Sequence, residues 1–211
     1  MSENERPDGL PGPRSARPTH DFDDAYAAGT PPWDIGRPQP AFLDLAQRGR
    51  LVGRVLDVGC GTGEHALMAA GLGLDATGVD AAPTAIAAAD DKARQRALTV
   101  RFVLWDALAL ASLNEEFDTT LDCGLFHVFS DDDRPRFVDS LRAVMPVGSR
   151  YYMLCFSDRQ PGDWGPRRIS QAEIKANLAD GWTVDSIEPA KLEITIDPGS
   201  AEAWLVSATR T

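Results

Sequence analysis

The run Val55-Leu56-Asp57-Val58 followed by Gly59-Cys60-Gly61-Thr62-Gly63 leaves this chain few folds to choose from. The first four residues make the short apolar run of a buried parallel strand. The next five carry glycine at alternate positions, which suits neither a strand interior nor a helix interior. Glu64-His65-Ala66-Leu67-Met68-Ala69-Ala70 then reads as a helix. A strand thus turns into a helix through a loop nearly bare of side chains. In such a loop a ligand can lie against backbone N–H groups at a helix N-terminus.

A dinucleotide fingerprint, G-x-G-x-x-G, needs its third glycine at position 64, where the chain has Glu64. The strand also ends in an acid, Asp57, which favours a cationic ligand over a pyrophosphate. The D-x-G-x-G-x-G pattern resembles the first motif of class I S-adenosylmethionine-dependent methyltransferases. The resemblance implies that Asp57, Gly59, Cys60, Gly61 and Gly63 wrap the methionine part of the cofactor. The competing reading is a tight turn in an unrelated α/β protein.

The 211 residues suit one domain with a full core. A net charge of −11 speaks against a nucleic-acid partner, because phosphate binding needs a basic face. Cys60, Cys123 and Cys155 are odd in number, widely spaced and set in apolar runs. They read as buried thiols of a reducing, cytoplasmic compartment, with no disulfide framework and no metal site. No apolar run approaches a membrane span. Residues 1–19 are rich in proline and charge, lack the apolar core of a signal peptide, and are expected to be a disordered tail.

Residues 20–211 form the expected methyltransferase domain, with 20–50 as an N-terminal lid or helical segment. Asp21–Tyr26 suits a short helix. Pro31, Pro32, Pro38 and Pro40 forbid regular structure around Trp33 and Ile35, and a helix follows from Gln39 to Arg48. Trp33 and Ile35 are expected to cover the cofactor or substrate; the plainer reading is that Trp33 pins the segment to the core.

Strand and helix signals then alternate. Leu74–Asp80 is a second strand ending in an acid, placed to accept both hydroxyls of a ribose; the alternative is a cap for the helix from Pro83. Thr99–Leu104 is a third strand. The methyltransferase resemblance implies that Asp106 takes the adenine amino group and the backbone around Ala107 meets the ring, with a helix cap as the alternative role for Asp106. Phe117–Cys123 is a fourth strand, and the loop beyond it faces the switch point of an open sheet, where ligands bind. That loop offers Asp122, expected on the cofactor side, and Phe126, His127 and Phe129, expected around the acceptor. His127 titrates near neutrality and is the candidate general base. The alternative is a structural histidine between packing phenylalanines.

Asp133–Met145 is a helix and Arg150–Phe156 a fifth strand. The irregular stretch from Ser157 to Arg168 suits a substrate loop, with Trp164, Arg167 and Arg168 as candidate lining residues. Ser170-Gln171-Ala172-Glu173 is a capping box. Trp182–Glu188, Lys191–Ile196 and Ala203–Thr209 read as strands, the last two joined as a hairpin through Asp197-Pro198-Gly199-Ser200. The expected fold is therefore α/β: a Rossmann-like, doubly wound, seven-stranded sheet, mostly parallel, with a C-terminal antiparallel hairpin.

Pro32-Trp33-Asp34-Ile35-Gly36-Arg37-Pro38 together with Gly124-Leu125-Phe126-His127 resembles one branch of the methyltransferases more narrowly. That branch contains thiopurine and tellurite-resistance types and enzymes that methylate heterocyclic toxins such as hydroxyquinolones. The resemblance implies in-line methyl transfer from S-adenosylmethionine to a small, aromatic or heterocyclic acceptor through O, N or S. The expected partners are that acceptor alone, with no nucleic acid and no membrane, in a monomer or homodimer. A macromolecular substrate, an NAD-dependent reaction and non-catalytic binding are the alternatives.

Overall fold

The computed structural model describes residues 19–211. The expected tail lies outside them except for Thr19, which opens helix α1 (Thr19–Ala27). Helix α2 (Pro40–Gln47) starts with proline in its first turn, where a missing N–H costs nothing, and Gln39 is its N-cap.

One sheet then builds up. Strand β1 (Arg54–Val58), helix α3 (Glu64–Gly71), β2 (Asp75–Asp80), α4 (Pro83–Gln95) and β3 (Arg101–Leu104) form its first half. After a 3₁₀ stretch (Ala107–Leu113) come β4 (Thr119–Cys123), a 3₁₀ turn (Phe126–Val128), α5 (Asp133–Val144), β5 (Arg150–Phe156) and α6 (Gln171–Asn177). Strands β6 (Trp182–Glu193) and β7 (Ser200–Arg210) end it. The strand order is β3-β2-β1-β4-β5-β7-β6. The first five strands are parallel, and β7 runs antiparallel to both β5 and β6.

Both faces of the sheet are covered, as a parallel sheet requires. On one face Leu56, Val58, Met153 and Val206 pack with Phe137 and Leu141 of α5. On the other, Val55, Leu121 and Leu154 pack with Phe42 of α2 and Ala66 of α3. Each such large side chain contributes about 2 kcal/mol by leaving water.

One expectation is corrected. The runs Trp182–Glu188 and Lys191–Ile196 are not separate strands; the first continues through Pro189 to Glu193 as β6. Proline is tolerated there because β6 is an edge strand and its ladder needs hydrogen bonds on one side alone. Pairing with β7 runs unbroken through Pro189, and a register shift lies further back, between Val184 and Ser186. Strand β3 also starts two residues later than expected, at Arg101.

Candidate active site

Strands β1 and β4 pair side by side, yet their connections leave in opposite directions, so a crevice opens beyond their C-terminal ends. The glycine loop forms one wall. The N–H groups of Gly59 and Cys60 both donate to the carbonyl of Val79, at 2.8 and 2.9 Å. Gly61 N–H donates to Asp80 Oδ2 at 2.8 Å, and Asp80 Oδ1 accepts from Ala82 N–H at 2.9 Å. Gly61 has φ +52°, and a Cβ on it would lie 2.5 Å from the Tyr26 hydroxyl. At Gly63, φ is +84° and a Cβ would meet Phe102 at 2.5 Å and the Ala89 methyl at 2.9 Å. The alternating glycines therefore answer particular neighbours, beyond the needs of the turn.

Asp57 sits beneath this loop, fully buried. Its Oδ2 accepts from Ala66 N–H at 3.0 Å, taking over the capping of α3 that Gly63 has no side chain to perform. Its Oδ1 is buried and has no hydrogen-bond partner among the described residues. His65 Nδ1 comes within 3.9 Å of it, too far for a hydrogen bond. Burial foremost, with the charges of Asp80 and Asp122 behind it, pushes the Asp57 carboxyl up to about 7.

The N-terminal segment closes the crevice. Trp33 Nε1 donates to the Tyr26 hydroxyl at 3.0 Å, and the Trp33 ring meets Phe22 and Tyr26 edge-on. Thr62 donates its hydroxyl proton to Asp34 Oδ2 at 2.7 Å and accepts from Lys92 Nζ at 2.6 Å. Lys92 also pairs with Glu64 at 2.8 Å, and Arg96 holds the same carboxylate with two contacts of 2.8 Å. Glu64 thus ties α3 to α4. From the other side, the buried Gln39 side-chain amide pairs with Glu193 as a strand would, donating to its carbonyl at 3.0 Å and accepting from its N–H at 2.9 Å.

These elements enclose a cavity of about 520 Å³. Of the residues singled out in the sequence, Trp33, Gly59, Cys60, Gly61 and Asp80 line it on the side of the glycine loop. Asp106 and Ala107 line it at the end of β3, and His127, Phe129 and Arg167 on the side of β4 and β5. Asp106 Oδ1 also accepts from Leu108 N–H at 2.8 Å, so it caps the 3₁₀ stretch as well as facing the cavity.

Six of the expected residues are not on the wall. Asp57 and Gly63 lie behind the loop. Asp122 is fully buried: its Oδ1 accepts from Leu125 and Phe126 N–H at 2.9 and 3.3 Å, and its Oδ2 from the Tyr151 hydroxyl at 2.7 Å. It holds the β4 loop in shape from below. Phe126 belongs to the core cluster, and Trp164 packs edge-on against Phe156. Arg168 folds back on its own loop, donating to the carbonyls of Gln160, Pro161, Gly162, Trp164 and Pro166. Those carbonyls have no ladder to join, so the arginine satisfies them.

The sequence reading missed Tyr26, Asp34, Thr62 and His65, and also Leu192 and Ile194 on the hairpin side. Alternation along Lys191–Ile196 was the signal for the last two: positions 192 and 194 share a face. Nothing local marks the others.

His127 is buried, with its ring edge-on to Phe156 at 5.2 Å. Its Nδ1 accepts from Phe156 N–H at 3.0 Å. In a neutral imidazole the other nitrogen then carries the proton, so Nε2 is a donor. Burial pushes its pKa down to about 3. Both facts work against the expected role as proton acceptor. The two wall arginines are already paired, Arg37 with Glu193 and Arg167 with Asp131 and Glu173. The buried Arg134 joins the same two acids and lies over the Phe126 ring, locking α5, α6 and the β4 loop together.

The wall is acidic at the glycine loop, with Asp34, Glu64, Asp80 and Asp106, and apolar toward β5 and the hairpin, with Leu125, Phe129, Phe156, Leu192 and Ile194. A cationic amino-acid-bearing nucleoside fits the first half by charge, by the glycine cradle and by the orphaned Asp57 oxygen behind it.

Comparison with known proteins agrees. Residues 55–148 match a family described as "Methyltransferase domain". The chain is 39% identical over 168 residues to 2-heptyl-1-hydroxyquinolin-4(1H)-one methyltransferase of Mycobacteroides abscessus, covering 78% of this chain and 74% of that protein. A solved structure described as "Conversion of a Disulfide Bond into a Thioacetal Group during Echinomycin Biosynthesis" superposes with a TM-score of 0.83 and 36% identity, covering 92% and 93% of the two chains. The fold is shared with 1,6-didemethyltoxoflavin-N1-methyltransferase of Burkholderia thailandensis, at TM-score 0.72 and 22% identity over 92% and 87% of the chains; that structure holds S-adenosylhomocysteine.

Proposed function

We propose that this chain, which belongs to the S-adenosylmethionine-dependent methyltransferases, transfers a methyl group to a small, flat, largely apolar acceptor by in-line displacement. S-adenosylmethionine is the cofactor. The observation that carries the acceptor reading is the division of one cavity into an acidic, glycine-lined half and an apolar, aromatic half.

In this reading Gly59, Cys60 and Gly61 hold the methionine part, Asp80 the ribose and Asp106 with Ala107 the adenine. Asp57 and Gly63 act from behind, the one by charge and the other by allowing the loop its close packing. Trp33 covers the cofactor and Phe129 lines the acceptor side. Phe126 and Trp164 shape that side from the core, and Asp122 props the loop that carries His127. Because a sulfonium methyl is already activated, alignment of the acceptor lone pair supplies most of the catalysis. The hydroxyquinolone relative supports heteroaromatic acceptors, and the enclosed cavity favours them over a macromolecule.

The test is calorimetric titration with S-adenosylmethionine and S-adenosylhomocysteine, followed by turnover with 1-hydroxyquinolin-4-ones and aromatic thiols. Micromolar cofactor binding, weakened about ten-fold or more in Asp80→Asn, and methylated product are expected. Absence of binding to either ligand would sink the proposal.

A further inference from the structure

Among the described residues, the buried His127 presents an uncommitted N–H to the acceptor half of the cavity. His127 Nδ1 is spent on Phe156 N–H. Its Nε2 is given no partner by any described residue, and it is not among the side-chain atoms sealed from solvent without one. Nε2 therefore opens on the cavity that His127 lines. Of the other ionisable groups on that side, the Cys123 thiol is held by burial in its weakly donating S–H form, and the charged ones are engaged. Arg167 is held by Asp131 and Glu173, while Asp133 accepts from Ser130 at 2.8 Å and pairs with Arg136 at 2.7 Å. Across the cavity His65 uses Nε2 to accept from Gln39 N–H at 3.2 Å, and Glu64 is neutralised by Lys92 and Arg96.

We infer that His127 is a hydrogen-bond donor to the heteroatom being methylated, and that the acceptors are compounds acidic enough to arrive as anions, O⁻ or S⁻, on an aromatic ring. The inference rests on the methyl-transfer reading above. An oxyanion or thiolate receives the Nε2 hydrogen on one lone pair and keeps another for attack. The new bond forms from that lone pair to the methyl carbon, the methyl–sulfur bond breaks, and its electron pair stays on sulfur. The anion and the sulfonium become two neutral products, and no proton moves in the step. The proton has gone to solvent before binding, so no protein base is needed. A neutral imidazole that stays neutral suits this task, since it donates at every working pH. The apolar walls of Leu125, Phe129 and Phe156 strengthen the bond by excluding water.

The experiment compares the protein with His127→Asn and His127→Gln. Asparagine places an oxygen near the Nδ1 position and retains the Phe156 contact while removing the donor. Glutamine returns an amide hydrogen near the Nε2 position. Binding of nitrophenols, nitrothiophenols and their methyl ethers to the complex with S-adenosylhomocysteine is measured against pH, and turnover is measured on the same series. Affinity is expected to rise with pH through each ligand's own pKa. His127→Asn should weaken anion binding about ten-fold, leave the methyl ethers and the melting temperature unchanged, and be partly rescued in His127→Gln. The pH midpoint of kcat/KM should move with the acceptor. The phenol and thiophenol arms report whether oxygen or sulfur is preferred. Equal affinity for neutral and anionic forms, or a midpoint fixed across acceptors and lost in His127→Asn, would overturn the inference and make His127 a base. If the binding pattern holds but no acceptor turns over, the methyl-transfer reading fails while the donor assignment stands.

Discussion

At Gly61 one added carbon meets two obstacles, a φ of +52° and the Tyr26 hydroxyl at 2.5 Å. Gly61→Ala is expected to weaken S-adenosylmethionine binding by about ten-fold or more, because loop and covering helix must both shift; calorimetry measures it. Asp57 makes a different prediction. Its folded-state pKa lies above the unfolded one, so between about pH 4 and 7 the folded chain keeps a proton that the unfolded chain has lost. Its contribution to stability therefore falls as pH rises through that window and levels off above it. Asp122, raised to about 6, acts in the same direction. His65 and His127, lowered to about 4 and about 3, act oppositely between those values and the ordinary histidine range. The informative quantity is thus a difference: the stability of Asp57→Asn relative to the natural chain should grow from pH 4 to 7 by about 1 kcal/mol per pH unit. Urea denaturation at several pH values checks it, and a flat difference would show that Asp57 titrates normally.

The covering segment acts as an element. Residues 30–39 lack regular structure, yet they are fastened at both ends. Asp34 reaches the glycine loop through Thr62, Pro32 accepts from Thr195 N–H at 2.9 Å, and Gln39 joins the edge strand at Glu193. Gln39→Ala removes two hydrogen bonds to part-buried backbone and is expected to cost about 1–2 kcal/mol of stability. Because Trp33 and Arg37 hang from that attachment, KM for the acceptor should rise more than kcat falls, which steady-state kinetics resolves. The capping box opening α6 was legible, with Ser170 Oγ accepting from Glu173 N–H at 3.2 Å. The β6 boundary was not, because Pro189 reads as a breaker until the strand is known to lie at an edge.

For the whole molecule, one sheet with a core on both faces and a C-terminal pair embedded beside β5 predicts one cooperative unfolding transition for residues 19–211. S-adenosylmethionine at a hundred times its dissociation constant should stabilise that transition by about 2.7 kcal/mol, read as a rise in melting temperature. Two separate transitions would show that the hairpin or the N-terminal segment folds apart. The charge of −11 predicts that added RNA leaves turnover within about two-fold of its value.

The alternation of strands and helices, the glycine turn and the acids ending β1 and β2 are local matters, set by hydrophobic period, backbone freedom and turn chemistry. They follow from the sequence, and with them the fold class; the kind of cofactor came from the resemblance of that turn to the methyltransferase motif. Which acids face the cavity is not local. Asp57, Asp80 and Asp122 each end or nearly end a parallel strand, and in sequence they look alike. In the fold Asp80 reaches the cavity, while Asp57 and Asp122 point into the protein and satisfy buried backbone. Side-chain direction there depends on the parity of each strand and the path of its loop. The same holds for the tautomer of His127, which is set by a hydrogen bond from Phe156, twenty-nine residues away. These placements come from the tertiary structure, because a proton's place on an imidazole follows from a neighbour that the sequence does not bring near.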